Sequence, residues 1–495
     1  QKQIVSPSDI LIKKGSVTAN KILFNSVEAT DFKMHFSHTK EATLKIDDAY
    51  IAIAGGLIKG NGGYNFNSKD VSIDSSFVNC DANELTKAFL NLSGQIYGNA
   101  NGDDVIDKTD INLVKWIVSC NTDDDETNDV DWKKEYPLAD ANYDQKVDSS
   151  DVTVIQKIVD KEKTRMYYFN KYERVTYVNY PISDKVGGEY LVIQLLSAIQ
   201  SYNMLKAIDD TTPKNYSEVY PGVDKMPVMG TWRQITIESL NVLYEKGTIG
   251  TFMQWTGGQN QDYIWDKAVD SGLADKMSFV IVPCQGPDVI QGVLELACML
   301  GDQSLSDKYV KWYDEAMDLM DSIEDKIEGG KKTITAVRCY TNEVSGIAAF
   351  GSAQGPALWF NKVINFQPAY VGKTNFTTTE SIENFTSTAT DEVIVMFQKN
   401  CDWSEFNDLV ETYLKDVYSA TPQFKNEKMY VVDFEMMPFA AGPAGCYILA
   451  ANLYPDLFDI DDALDFLQEY LDDFAVREGA DARKGFTYTG DGYAN

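Results

Sequence analysis

Histidine is nearly absent from this 495-residue chain, with only His35 and His38, both close to the amino terminus. The rest of the chain therefore has no imidazole with which to build a zinc or manganese centre. Cationic residues are also scarce: 44 Lys and Arg stand against 75 Asp and Glu, a formal net charge of −31. That balance speaks against nucleic acid and anionic lipid surfaces as partners and suits a secreted protein in salty or calcium-containing surroundings. The seven cysteines, Cys80, Cys120, Cys284, Cys298, Cys339, Cys401 and Cys446, form no CxxC pair and no Cys/His cluster. Most are expected as small core hydrophobes, with a Cys80–Cys120 bridge left open. No uncharged apolar run reaches the roughly 18 residues of a membrane span. There is no G-x-S-x-G, no P-loop and no Cys/His pair, so the chain reads as a binder and not an enzyme, although this many acids make accidental carboxylate pairs inevitable.

What is present begins with a repeat. Residues 99–118 read NANGDDVIDKTDINLVKWIV and residues 140–159 read DANYDQKVDSSDVTVIQKIV. The copies align at a constant offset, Asn101 with Asn142, Asp103 with Asp144 and Asp110 with Asp151, and the apolar Ile111, Val114 and Ile117 with Val152, Ile155 and Ile158. Oxygen-bearing side chains fall at loop positions 1, 3, 5, 9 and 12: Asn99, Asn101, Asp103, Asp107 and Asp110 in the first copy, Asp140, Asn142, Asp144, Asp148 and Asp151 in the second. With the backbone carbonyls of Val105 and Lys146 at position 7, each set is that of a short loop wrapped round a hard cation, calcium. The apolar run after each loop makes a helix that packs on its twin. The bland alternative is an acidic turn repeated by accident, which two copies in register argue against. Position 6, where glycine permits a sharp turn, holds Asp104 and Gln145, and position 1 of the first loop is the neutral Asn99, so modest calcium affinity is expected.

The repeat divides two kinds of sequence. Residues 1–95 alternate short β-prone runs with Gly, Asn and Ser turns and are expected to form a small all-β domain, its GLIKGNGGYNF segment being turns rather than a phosphate loop. Residues 96–165 are the paired calcium loops. After them strands alternate with longer helical patterns, as in an α/β protein, over a first lobe at 166–303 and a second at 331–495. Between the two, residues 304–330 hold a helix over 306–328 whose apolar stripe runs Tyr309, Trp312, Ala316, Leu319, Met320, Ile323 and Ile327, with Ser304 and Ser306 as caps and Gly329-Gly330 as the stop. At ~1.5 Å per residue it makes a rod of roughly 35 Å, long enough to join two lobes. Four N-x-S/T sequons, at Asn91, Asn215, Asn375 and Asn384, agree with export, as does a start at Gln1 without Met, expected of a mature chain whose signal peptide has been removed.

These residues carry a resemblance. The loop pair resembles the dockerin type, in which Asp occupies position 12. Two lobes on one long helix, with TIESL at Thr236–Leu240 and TTESI at Thr378–Ile382, and the ending FKNEKMYVVD…GPAGCYILAANLYPDLF, resemble the class III substrate-binding proteins of iron-siderophore, haem and cobalamin ABC importers over about residues 172–475. The order of calcium-loop pair and then binding protein resembles an archaeal surface version of that family. The resemblance implies one glutamate per lobe offered to the permease, Glu238 and Glu380. The alternative for each is an acid in a first helical turn that merely answers the helix dipole. It implies a ligand between the lobes, and the candidates there are Trp232, Arg233, Trp255, Arg338, Tyr340, Trp359, Met437 and Phe439. Aromatic faces suit a flat chelate and arginine suits its carboxylate or anionic centre, while Trp and Phe beside Gly also suit a core.

The expectation is thus an extracellular, calcium-binding solute-binding protein that captures a metal chelate, whether iron-siderophore, haem or corrinoid, and passes it to an ABC permease. The competing expectation is a calcium-stabilised structural or adhesive surface protein that self-associates through its amino-terminal domain into multimers or filaments. A dockerin anchoring to a cohesin-bearing scaffold is a third, against which the non-glycine sixth positions and the long insert between the loops argue.

Overall fold

The computed structural model describes residues 22–24, 49–53, 56–60, 96–102, 105–121, 130–170, 174–189, 192–217, 219–231, 234–254, 264–327, 329–340, 347–353, 355–373, 381–398, 405–433, 439–484 and 487. The chain divides into two compact units, one of residues 1–183, 274–280 and 294–304, the other of 184–273, 281–293 and 305–495. Of the expected amino-terminal β domain three strands are described, Ile22–Phe24 parallel to Ala49–Ile53, which is antiparallel to Gly56–Gly60; the rest of 1–95 lies outside the described residues.

In the first unit the helices Lys108–Asn121 and Ser149–Val159 pack on one another. The apolar spacing of the repeat explains this: Ile111, Val114 and Ile117 of one helix and Ile155 and Ile158 of the other are all buried. A β-hairpin follows, Thr164–Phe169 against Val175–Tyr180, with Tyr167 opposite Tyr177. Its alternation sends Met166, Tyr168, Val178 and Tyr180 inward. Two of those tyrosines use their hydroxyls as anchors. Tyr180 Oη donates to the Ile158 carbonyl at 2.8 Å and Tyr168 Oη to the Phe279 carbonyl at 3.1 Å. On the outer face Tyr97, Tyr143, Tyr167 and Tyr177 form a continuous run of rings, with the Arg165 guanidinium over Tyr177 at 4.4 Å.

The second unit holds two parallel sheets. In one, Val186–Gly188 lies between Leu205–Ile208 and Thr251–Met253, parallel to both. In the other, Thr333–Tyr340, Val393–Gln398 and Met429–Asp433 run parallel, with Ala348–Ala349 antiparallel on the edge and Asn365–Phe366 parallel to the start of Thr333–Tyr340. The strands are near-continuous apolar runs, as sheets covered on both faces require; Val337, Val393, Val395 and Val431 form one core with Val410 and Leu414 of the helix Phe406–Tyr418.

The expected long helix is Asp307–Ile327, 21 residues, ended by Gly329 at φ +71°, where the chain needs a left-handed residue to leave the helix. Its buried stripe is Tyr309, Trp312, Tyr313, Ala316, Met320, Ile323 and Ile327. It lies against Gly442–Leu453 and the acidic helix Ile460–Phe474, with Trp312 stacked on Phe466 at 5.6 Å. The hydroxyls of this stripe tie it at two places: Tyr309 Oη donates to the Ala440 carbonyl at 2.8 Å, and Tyr313 Oη to the Pro287 carbonyl at 2.9 Å. Among the described residues no helix is long and apolar enough to cross a membrane.

Candidate functional site

A parallel sheet offers its binding groups at the carboxyl ends of its strands, where the backbone turns away and side chains are left facing one edge. In the first sheet Gly188 is in register with Met253 on one side and Ile208 on the other. The next residue along each strand, Glu189, Gln254 and Asp209, therefore stands at one edge, and all three are buried, at 3%, 3% and 0% exposure. Asp209 is spoken for by the fold: its Oδ1 accepts the amides of Thr211 and Thr212 and its Oδ2 the Thr212 hydroxyl, at 2.7, 3.1 and 2.9 Å, which starts the short helix Thr212–Asn215. Glu189 and Gln254 stand beside it at the same edge. The sequence reading passed over both, yet each has a signal, a polar residue directly after an apolar strand run, in Val-Gly-Gly-Glu and Phe-Met-Gln.

Of the ligand candidates named from sequence, Trp232, Arg233, Trp255 and Met437 lie outside the described residues. So do the segments that follow the strands of the second lobe, 341–346, 399–404 and 434–438. Arg338 is placed on Thr333–Tyr340, half-buried, in register with Met396; Tyr340 ends the same strand. The structure places Trp359 and Phe439 in the packed interior, at 0% and 1% exposure. The Trp359 indole edge meets the backbone of Gly442 so closely that a Cβ there would stand 2.2 Å from Nε1, and the Trp359 carbonyl accepts the Cys446 thiol at 3.2 Å. Burial holds that thiol well above the ordinary range, so it is an inert core group. Glu238 is exposed in the first turn of Ile237–Glu245, where Thr236 and Ser239 make a reciprocal capping box, so the carboxylate is left to face solvent. Its counterpart Glu380 lies outside the described residues.

The two acidic loops repeat one another atom for atom where both are described. Asp110 accepts the amides of Asn101 (3.1 Å) and Asp107 (2.8 Å); Asp151 accepts those of Asn142 (3.1 Å) and Asp148 (2.8 Å). Position 4 is left-handed in both, Gly102 at φ +70° and Tyr143 at φ +56°. In the second loop Asp140 also accepts the amides of Asp144 and Gln145, Asn142 accepts that of Asp144, and Asp144 that of Lys146, at 3.0, 2.9, 2.9 and 3.0 Å. Asp103 lies outside the described residues. Burial raises the Asp140 carboxyl, and it pushes Asp151 up to about 6, with the charges of Asp140 and Asp148 adding to the effect against two amide hydrogen bonds. Among the described residues no three His, Cys, Asp or Glu side chains converge as a metal-binding group. Calcium differs from such metals in drawing on amide and backbone oxygens as well, and the all-oxygen set of Asp140, Asn142, Asp144, Lys146 carbonyl, Asp148 and Asp151 fits it.

Position 6 of the second loop is left-handed, Gln145 at φ +72°, and its side chain is exposed. A Cβ in that conformation costs about 1–2 kcal/mol. Gln145→Gly is therefore expected to stabilise the loop by about 1 kcal/mol, read as a rise in the thermal transition with and without calcium. A fall would mean that the glutamine side chain contributes contacts the loop needs.

No protein-family model matches the sequence, and no curated protein matches it. The fold, by contrast, has many solved counterparts. The TroA-like periplasmic binding protein FepB from Veillonella parvula superposes with a TM-score of 0.50 at 13% identity, over 66% of this chain and 99% of that one. The chain carries a periplasmic-binding-protein fold. CeuE from Helicobacter pylori, solved with Ni(II) bound, gives 0.46 at 13% identity over 62% of this chain and 95% of that one. A periplasmic heme binding protein from Pseudomonas aeruginosa gives 0.43 at 12% identity over 55% and 94%. The match with FepB covers 66% of this chain and leaves the remaining third without a counterpart in that structure.

Proposed function

We propose that this chain is an exported solute-binding protein that captures a metal chelate, an iron-siderophore, haem or corrinoid, and delivers it to an ABC permease, with two calcium loops bracing the region before the lobes. The observation that carries the reading is the pair of parallel-stranded lobes on one long helix, matched over nearly the full length of a known periplasmic binding protein. The chemistry supports it. Polar residues, Glu189 and Gln254, stand at the strand ends of the first lobe, Arg338 stands on the second, and Trp232, Arg233 and Trp255 belong to segments that follow or join strands. A chelate needs such a mix of aromatic faces and fixed hydrogen-bonding groups. An archaeal surface setting suits the acidic surface and the calcium loops.

Native mass spectrometry with an absorbance spectrum, on protein isolated from its own cells, tests this directly. A co-purifying porphyrin, corrinoid or iron-chelate mass on a monomer is the expected result. An empty protein in a calcium-dependent multimer would instead make it a surface-assembly protein, a reading that the additional amino-terminal strands keep in play. For delivery, Glu238, which is exposed, and Glu380 are the proposed permease contacts, the two points of an electrostatic register. Glu238→Arg is expected to cut uptake by about tenfold, the weight of ~1.4 kcal/mol of docking energy, and to leave chelate affinity unchanged. Uptake equal to wild type would remove Glu238 from the interface.

A further inference from the structure

Tyr143 sits where its twin loop has a glycine. It occupies position 4 of the second loop at φ +56°, a backbone shape that a residue with a Cβ and a bulky ring rarely adopts, and the first loop fills that position with Gly102 at φ +70°. A Cβ added at Gly102 would meet nothing within 4 Å. The ring of Tyr143, 39% exposed, instead lands on two other rings, Tyr97 at 5.1 Å and Tyr167 at 5.7 Å between centroids. Those two belong to one small sheet. The Tyr97 amide donates to the Tyr167 carbonyl at 2.9 Å and Ile96 bridges Tyr168, which adds a short third strand to the hairpin of Thr164–Phe169 and Val175–Tyr180. Tyr167 lies opposite Tyr177 with ring centroids 5.6 Å apart, and Tyr177 Oη donates at 2.8 Å to Asp275 Oδ1, which also accepts the Arg165 guanidinium. The row of rings thus runs from the loop across the outer face of the sheet.

On the loop side the ring hangs between two candidate ligands, Asn142 and Asp144. The Tyr143 amide donates to the Asp140 carbonyl at 3.2 Å, and the Asp144 amide donates to Asp140 Oδ1 at 3.0 Å and to Asn142 Oδ1 at 2.9 Å. A calcium ion that gathers those oxygens fixes the backbone on both sides of the ring. We propose that Tyr143 is a positioning residue that carries occupancy of the second loop into the neighbouring sheet, so that calcium bound there holds the hairpin Thr164–Tyr180 closed. This rests on the calcium reading above and adds a task to it: the hairpin follows the calcium level of the medium. A competing route to the hairpin runs through the helix Ser149–Val159, whose Ile158 carbonyl accepts Tyr180 Oη at 2.8 Å. That route does not use the ring, so substitution of Tyr143 separates the two.

The test is hydrogen exchange on the full chain, followed by mass spectrometry across a calcium titration. Peptides covering 140–151 report the loop and those covering 164–180 the hairpin. In the native protein both are expected to gain protection with one midpoint, the hairpin by roughly fivefold, the weight of an aromatic pair. Tyr143→Gly, which gives the second loop the glycine of the first, is expected to leave the loop titrating and the hairpin flat. Gln145→Gly, a glycine in the same loop with the ring kept, is expected to leave the hairpin following calcium. Tyr167→Ala touches no ligand, and by reciprocity it is expected to move the loop's midpoint to roughly fivefold higher calcium. A hairpin that ignores calcium in the native protein while the loop responds would overturn the proposal. So would a hairpin that still follows calcium in Tyr143→Gly, or a loop midpoint unmoved in Tyr167→Ala, the result that decides should Tyr143→Gly bind no calcium. A native loop that shows no response to calcium would overturn the calcium reading beneath it.

Discussion

Gly292→Ala is expected to unfold the first lobe or shift its melting by many degrees. Gly292 lies in the helix Val289–Met299, and a Cβ built on it would stand 1.7 Å from the carbonyl oxygen of Pro283 and 3.5 Å from Leu195 Cδ2. The obstacle is backbone, which cannot swing aside as a side chain would. Restoring even a 3.0 Å separation moves a helix away from the segment that follows Ser278–Val280, in a core where every residue from Val289 to Met299 is buried. Overpacking of well-filled cores costs about 1–3 kcal/mol, and a backbone clash of this depth falls at or above the top of that range. Gly272→Ala is the control: Gly272 has φ +69° but nothing within 4 Å of the added carbon, so only the conformational cost of about 1–2 kcal/mol applies. Thermal melts of the two variants check the argument. A Gly292→Ala melt no lower than that of Gly272→Ala would mean the helix and Pro283 do not approach as described.

Asp151→Ala is expected to cost more in calcium than in chelator, and the difference measures the ion. Even without metal the change is expensive, since the Asn142 and Asp148 amides lose their buried acceptor; about 2 kcal/mol is expected in chelator. In calcium at a hundred times its dissociation constant the wild type gains a further ~2.7 kcal/mol that the variant forgoes. Asp144→Ala, at an exposed position that accepts the Lys146 amide and the Asn142 side-chain amide, should lose the calcium-dependent part and little else. Equal losses for Asp151→Ala in both media would make it a helix cap and end the calcium reading of the second loop.

The same carboxyl sets a pH dependence. Folding raises Asp151 from its ordinary 3.8 to about 6, so the fold favours the protonated form. The stabilisation is complete below about 4 and is lost as pH rises through 6. The calcium-free protein is therefore expected to gain on the order of 1 kcal/mol, after solvent screening, between pH 7 and pH 5, and Asp151→Asn to abolish that gain. Thermal melts in chelator across that range provide the measurement.

Much of the fold was legible because its signals are local. A 3.6-residue stripe from Tyr309 to Ile327 with two glycines after it specifies a long helix and its end, and the observed Asp307–Ile327 differs from the expected 306–328 by one residue at each end. The repeat at 99–118 and 140–159 was legible because both copies carry the same side chains at the same spacing, and equal local sequence makes equal turns: the amides that Asp110 and Asp151 accept are those of matched residues. The sequence by itself thus determined the elements, the repeated loops, the scarcity of cationic and imidazole groups, and with them the class of partner and chemistry left open to the chain.

Which side of an element a neighbour covers is not written locally, and there only the tertiary structure decided. Trp359 beside a glycine-rich stretch suited a ligand face as well as a core; a contact with Gly442, more than eighty positions away, puts it inside. The hairpin Thr164–Tyr180 straddles the boundary expected at residue 165, yet it belongs to one compact unit with 274–280 and 294–304, because Tyr168 and Asn179 find their partners at Phe279 and Ser278. Two loops alike in sequence became unlike in exposure for the same reason. Ile106, whose amide meets Gln303, is buried while its counterpart Val147 is half-buried, a difference that resides in chain-distant packing and leaves no trace in the repeat itself.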